Sequence, residues 1–245
     1  MAFYDSYSLR GLVLPALLFV AGCHTGRPPG AANQPSSPPL DSLYPAPDTT
    51  ILYQSGWTKT HYPKRIAEFK QNPLNQHDIV FIGNSITEQG GAWDKRLGSG
   101  IVKNRGISGD VTAGVLKRLG EIGHYRPKAV FLLIGINDLS NDQSTPEYVA
   151  NNIHAIAAAL HQATPRTKIY VQTILPTTNE KLAAKIKQTN DLLKSQTGPN
   201  FTLLDTHALF ADDHDLMKKE LTRDGLHLTE VGYQLWAGYL KRYIH

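Results

Sequence analysis

Four short stretches of this chain each carry a residue type that catalytic chemistry uses; three end apolar runs or lie just past them, and the fourth lies just before the last helical pattern. The first is Gly83-Asn84-Ser85-Ile86-Thr87. A serine hydroxyl leaving a strand can attack a carbonyl, provided a neighbouring base takes its proton. The stretch is not a Gly-x-Ser-x-Gly elbow, because Thr87 holds the last position. Taken alone, Ser85 serves equally well as a helix cap or turn residue. The second stretch is Asn104 to Asp110 (NRGISGD), entering a helical pattern. Gly109 would let an anion come close to backbone N–H groups there, although turn glycines before a capped helix look the same. The third is Gly135-Ile136-Asn137-Asp138. An Asn137 amide can donate to that anion, and asparagine is also an ordinary turn residue. The fourth is Asp224-Gly225-Leu226-His227. On a turn entering a helix this spacing can set Asp224 against Nδ1 of His227 and leave Nε2 free to accept a serine proton. A capping aspartate beside a surface histidine is the plainer alternative.

These stretches need a scaffold, and the surrounding pattern supplies one. Apolar runs at Asp78–Gly83, Gly100–Asn104, Ala129–Gly135, Lys168–Ile174 and Phe201–Asp205 read as five strands. The run at 129–135 is continuously apolar, as a central parallel strand requires, and the one at 100–104 is weaker and suits an edge. Helical patterns cover 111–122 after a capping Asp110, 145–162 after Thr145-Pro146, 179–195 and 229–243, with a shorter one at 64–71. Strand–helix alternation predicts a parallel sheet covered by helices on both faces. In such sheets ligands bind at the carboxyl ends of the strands, which is where the first three stretches fall.

Serine, glycine and asparagine at separate strand ends, then Asp-x-x-His, in that order, resemble the sequence blocks of the SGNH (GDSL-like) hydrolase superfamily. The Phe201–Asp205 run with Leu226-His227-Leu228-Thr229 and Gly232-Tyr233 is similar to the platelet-activating-factor acetylhydrolase branch, and Asn104–Val111 to bacterial sugar O-acetylesterases. The resemblance implies an α/β fold, a three-layer α/β/α sandwich on a five-stranded parallel sheet (flavodoxin-like). It implies Ser85 as nucleophile, His227 as base and Asp224 as its orienter. The oxyanion hole would be the Ser85 and Gly109 N–H groups with the Asn137 side chain. Asn84 stands where the family's name-giving motif has Asp, and Ile86 where it has Leu; neither position carries the chemistry.

The N-terminus reads separately. Residues 1–22 are expected to be a lipoprotein signal peptide, with Arg10 before the apolar run Gly11–Gly22, too short to span a bilayer. Val20-Ala21-Gly22-Cys23 resembles a lipobox, and Cys23 is the only cysteine of the 245 residues, so lipidation accounts for a thiol without a disulfide partner. Residues 23–50, rich in proline, are expected to be a tether, and 51–245 one catalytic domain. Export to a bacterial cell envelope, periplasmic or outer-membrane anchored, follows. The net charge of +4 is scattered, so a nucleic-acid partner is not expected.

No cofactor is expected, and no metal: Asp205, His207, Asp212, Asp213, His214 and Asp215 lack regular ligand spacing and read as a solvated loop. No segment is long enough for a lid, so an open cleft and a short acyl group are expected. Trp93 is either a cleft wall, a sugar-stacking ring or a buried residue. The expected reaction is hydrolysis of short-chain esters, acetyl on carbohydrate first. A lysophospholipase- or thioesterase-like acylhydrolase, or a non-catalytic carbohydrate-binding lipoprotein, is the alternative.

Overall fold

A computed structural model describes residues 38–99 and 101–244. The elements in chain order are α1 (Gly56–Gln71), β1 (Ile79–Gly83), α2 (Ser85–Glu88), α3 (Trp93–Leu97), β2 (Val102–Gly106), α4 (Thr112–Lys117), α5 (Gly120–Tyr125), β3 (Ala129–Leu133), α6 (Ile136–Leu139), α7 (Pro146–Ala163), β4 (Lys168–Gln172), α8 (Glu180–Ser195), β5 (Thr202–Leu204), α9 (His207–Phe210) and α10 (Glu230–Leu240). All five expected strands form, in one parallel sheet of order β2-β1-β3-β4-β5. Strands β1 and β3 are buried at every position, as their unbroken apolar runs require when helices cover both faces. The weaker β2 is an edge, as expected.

Register matters for the site. Gly83 at the end of β1 pairs with Gly106 of β2 and with Leu133 of β3. Three neighbouring strands therefore stop at one level, and Ser85, Gly109 and Asn137 stand just past them. The chain moves outward to β2 and then back across to β3, so this level is also where the strand order reverses, the usual crevice of an open α/β sheet.

Caps follow the expected chemistry at several helices. Thr145 accepts from Tyr148 N at 3.2 Å, Asn179 from Lys181 N at 3.0 Å and Thr229 from Gly232 N at 3.2 Å; such side chains satisfy N–H groups that the helix leaves orphaned. Asp110 differs. Its side chain caps no helix; α4 begins at Thr112 after Val111, and the pattern at 111–122 breaks into α4 and α5. Asp110 is fully buried on Arg118 instead, and the chain turns at that residue to keep the pair together. Helix α1 begins at Gly56, capped by the Ser55 hydroxyl on Thr58 N at 3.1 Å, and carries Pro63 inside it. Proline there removes one helical hydrogen bond, which α1 offsets by burying Tyr62, Ile66 and Phe69.

The expected tether is shorter than residues 23–50. From Pro38 the chain packs on the domain: Leu40–Leu43 forms a 3-10 turn, and Tyr44 and Ile51 join a second small core with Tyr62, Ile66, Phe69, Ile107 and Val111. Leucine, tyrosine and isoleucine among the prolines give this part enough apolar surface to dock. The expected signal peptide, Cys23 and the rest of the expected tether lie outside the described residues. Within them, no helix is long and apolar enough to cross a membrane.

Candidate active site

The hydroxyl of Ser85 lies 3.0 Å from His227 Nε2, and His227 Nδ1 lies 2.7 Å from Asp224 Oδ2. Ser85 opens α2 two residues past the end of β1; Asn84 between them accepts from Ile86 N at 3.0 Å through its side chain, so an uncharged amide suffices there. The Asp-x-x-His turn is self-organised. Asp224 Oδ1 accepts from the N–H groups of Leu226 at 3.0 Å and His227 at 2.7 Å, while Oδ2 holds the ring. Partial burial pushes the Asp224 carboxyl up, but the His227 ring and these N–H groups outweigh it and hold it down at about 2. A carboxylate that stays ionised down to that pH fixes Nδ1–H as donor, so Nε2 presents its lone pair to Ser85.

The expected oxyanion donors Asn137 and Gly109 stand just past β3 and β2, whose ends lie level with the end of β1. Asn137 stands in α6 and donates from Nδ2 to the carbonyl of Asp110 at 2.8 Å. That bond uses one of its two amide hydrogens and orients the other. Gly109 has φ +77°, and a Cβ there would lie 2.1 Å from Thr58 Oγ1 of α1. Both the left-handed backbone and the close approach of α1 demand glycine. Its N–H has no acceptor among the described residues.

Supporting residues that sequence reasoning missed surround this set. Asp138 accepts from Thr112 N at 3.0 Å and from the Thr112 hydroxyl at 2.6 Å, which locks the Asn137 segment to the start of α4. Burial pushes the Asp138 carboxyl up to about 6 against those hydrogen bonds. Arg118, buried, donates to the carbonyls of Arg105 and Gly83 at 2.8 and 3.0 Å and pairs with Asp110 at 2.9 Å, so one guanidinium ties the ends of β1 and β2 to the oxyanion loop. Glu88, one turn past Ser85, accepts from Ser108 N and from His61 Nε2. Asp138 stands in one of the quoted motifs; Arg118 lies 8 residues from Asp110 but 35 from Gly83, and the Glu88 partners Ser108 and His61 lie 20 and 27 residues away.

Two other expectations resolve. Trp93 is buried, 1% exposed, with Nε1 donating to the Thr87 carbonyl at 2.9 Å, so it is a core residue beneath α2 and not a stacking ring. The Asp205–Asp215 segment is less solvated than expected: His207 is buried, with Nε2 2.8 Å from Asp215 and Nδ1 2.8 Å from the Ile174 carbonyl. No group of three metal-capable side chains gathers among the described residues.

A parallel sheet with a serine past one strand end, hydrogen-bonded to a histidine–aspartate pair, defines an ester hydrolase of the α/β class. The chain belongs to the GDSL-like Lipase/Acylhydrolase family, which it matches over residues 81–235. It is 33% identical over 165 residues to the human platelet-activating factor acetylhydrolase IB subunit alpha2, covering 64% of this chain and 71% of that one. A GDSL-like lipase from Bacteroides thetaiotaomicron superposes with TM-score 0.61 at 22% identity over 76% of this chain and 96% of that one. An acetyl-xylooligosaccharide esterase from Geobacillus superposes with TM-score 0.57 at 18% identity over 70% and 95%.

Proposed function

We propose that this chain hydrolyses short acyl esters, acetyl esters of carbohydrates first, through an acyl-enzyme on Ser85. The observation that carries the mechanism is the unbroken hydrogen-bonded line from Asp224 through His227 to Ser85 Oγ. His227 Nε2 takes the hydroxyl proton as Oγ bonds to the ester carbonyl carbon. The carbonyl pair moves onto oxygen, facing the N–H groups of Ser85 and Gly109 and the second amide hydrogen of Asn137. Collapse breaks the bond to the alcohol, whose oxygen receives the proton from His227. Water then repeats the sequence, the acid leaves and Ser85 is restored.

The short acyl group is supported by how tightly the turn beyond Ser85 is pinned. Asn104 Nδ2 donates to the carbonyls of Thr87, Glu88 and Gly91 at 3.1, 3.0 and 3.1 Å, and Arg96 Nε to Gly90 at 2.6 Å. The two Asn104 amide hydrogens shared among three carbonyls, with Arg96 on a fourth, hold this turn against opening into an apolar channel. The Asp224 side chain is 54% exposed, which suits an open rim with room for a bulky alcohol. The names of the human relative and of the Geobacillus esterase agree with acetyl as the acyl group.

A series of p-nitrophenyl esters below their micelle concentrations tests this. We expect kcat/KM to fall from acetyl to butyryl to octanoyl. An apolar acyl channel would instead add ~0.8 kcal/mol per buried methylene, about fourfold for each. A rise toward octanoyl rejects the acetylesterase reading in favour of a lysophospholipase or thioesterase.

We also propose that Cys23 carries a lipid that holds the enzyme at the bacterial cell envelope. The Val20–Cys23 step and the apolar run before it support this. Cys23→Ser should move the protein from membrane to soluble fractions. Continued sedimentation with membranes after a high-salt wash would refute the lipid anchor.

A further inference from the structure

Trp57 lies in α1 next to Thr58, the residue packed against Gly109, and its ring is stacked on His61 yet largely exposed. It is 60% exposed, whereas Trp93 and Trp236 are 1% and 0% exposed. Its ring stacks on that of His61 one helical turn on, with centroids 4.7 Å apart and planes at 23°. The His61 ring is itself fixed, because Nε2 lies 3.0 and 3.1 Å from the two carboxylate oxygens of Glu88. A carboxylate only accepts, so Nε2 carries a hydrogen, and in the neutral ring Nδ1 presents a lone pair; that nitrogen has no hydrogen-bond partner among the described residues. The location is set by two contacts. Glu88 is three residues past Ser85 in α2 and also accepts from Ser108 N. Thr58, next to Trp57, is the residue packed against Gly109. The stacked pair is thus anchored at one end to the nucleophile's helix and at the other to the oxyanion loop.

The geometry points to a sugar platform: the free face of Trp57 takes the C–H face of a pyranose ring in the ester's alcohol portion, and His61 Nδ1 accepts from one of its hydroxyls. An immobilised indole offers a large apolar face with little entropy left to lose on binding. A sugar ring, apolar across its C–H face and polar at its edge, matches an indole bordered by an imidazole acceptor. An acyl chain would leave that acceptor unused. This inference rests on the carbohydrate-ester reading above and names the surface that would recognise the carbohydrate.

The test compares full-length wild type with Trp57→Ala and Trp57→Phe on an acetylated methyl xyloside and on ethyl acetate, which has no ring to stack. Trp57→Ala should raise KM for the sugar ester about 5- to 10-fold, a typical worth of one aromatic contact, with kcat and the ethyl acetate rate unchanged within twofold. Trp57→Phe should recover most of the loss. A second readout needs no turnover. Trp57 is the exposed one of three tryptophans, so acrylamide quenching reports on it, and unacetylated xylotetraose should protect it in the Ser85→Ala protein. Unchanged KM, or quenching that xylotetraose does not alter, overturns the platform. Protection by phospholipid vesicles but not by sugar overturns it too and makes Trp57 a membrane contact. If wild type cleaves ethyl acetate but no sugar ester, the carbohydrate-ester reading fails, and quenching with xylotetraose still decides the platform.

Discussion

Ser85→Ala is expected to lower kcat on p-nitrophenyl acetate by about 10⁴- to 10⁶-fold while the domain stays folded. The loss is large because, in the proposed mechanism, the hydroxyl is both the bond-forming atom and the group that His227 deprotonates. What remains is attack by water in a site that still carries the Gly109 and Asn137 donors, which alone retain some rate over solution. The cost in stability is small, since the hydrogen bond of Oγ is to His227 Nε2 at 3.0 Å, and that nitrogen belongs to a part-exposed ring that water can reach. Thermal melting followed by circular dichroism should place the variant within a few degrees of wild type. A fluorophosphonate, which loses fluoride as a serine oxygen bonds to phosphorus, should label wild type once and Ser85→Ala not at all. A folded variant that turns over at the wild-type rate, or one that still takes up the label, means that another residue is the nucleophile.

The sheet was legible because its signal is local. The central strands announce themselves as short apolar runs, burial on both faces leaving β1 and β3 no polar alternation to obscure it, whereas the edge strand β2 (VKNRG) gives only a weak signal. The order of the site residues was legible for a related reason: Ser85, Gly109 and Asn137 each stand within a few residues of a strand end, and Asp224 and His227 lie just before the last helix. What the sequence hid depends on partners distant along the chain. Asp110 looks like a cap because aspartate before a helix usually is one. Nothing near it in sequence shows that Arg118 will be buried on it and drawn to Gly83 as well. The first half of α1 was missed because Gly56 to His61 is polar and Pro63 suggests a boundary; its reasons for being helical are Thr58 against Gly109 and Tyr62 donating to the Gly114 carbonyl at 2.9 Å. The proline-rich stretch misled in the same way, since composition favours an extended chain and Tyr44 and Ile51 find their core only in three dimensions. Helices of four residues, such as α2 and α6, are too short for any periodicity to register.

The buried pair of Asp110 and Arg118 should matter for stability more than the other polar contacts described above. Both side chains are excluded from water, at 0% and 2% exposure. Burial pushes the Asp110 carboxyl up, to about 6, against the pull of the guanidinium, so at neutral pH it is mostly ionised and balances Arg118. Asp110→Ala leaves that cation buried without a counter-charge, a change that costs about 3–5 kcal/mol. At a few degrees per kcal/mol for a domain of this size, Tm should fall by roughly 10 °C or more. Activity should fall with it in the fraction that remains folded, because Asn137 takes its orientation from the carbonyl of this same residue. Adding Arg118→Met to Asp110→Ala should recover much of the stability, since an apolar chain in that space has no charge to strand. The double variant should still lose kcat, because Arg118 also holds the carbonyls at the ends of β1 and β2. Urea unfolding of the two single variants and the double separates these terms. If Asp110→Ala melts within about 1 kcal/mol of wild type, the pair is not what holds the oxyanion loop down, and the Thr112–Asp138 lock must carry that role alone.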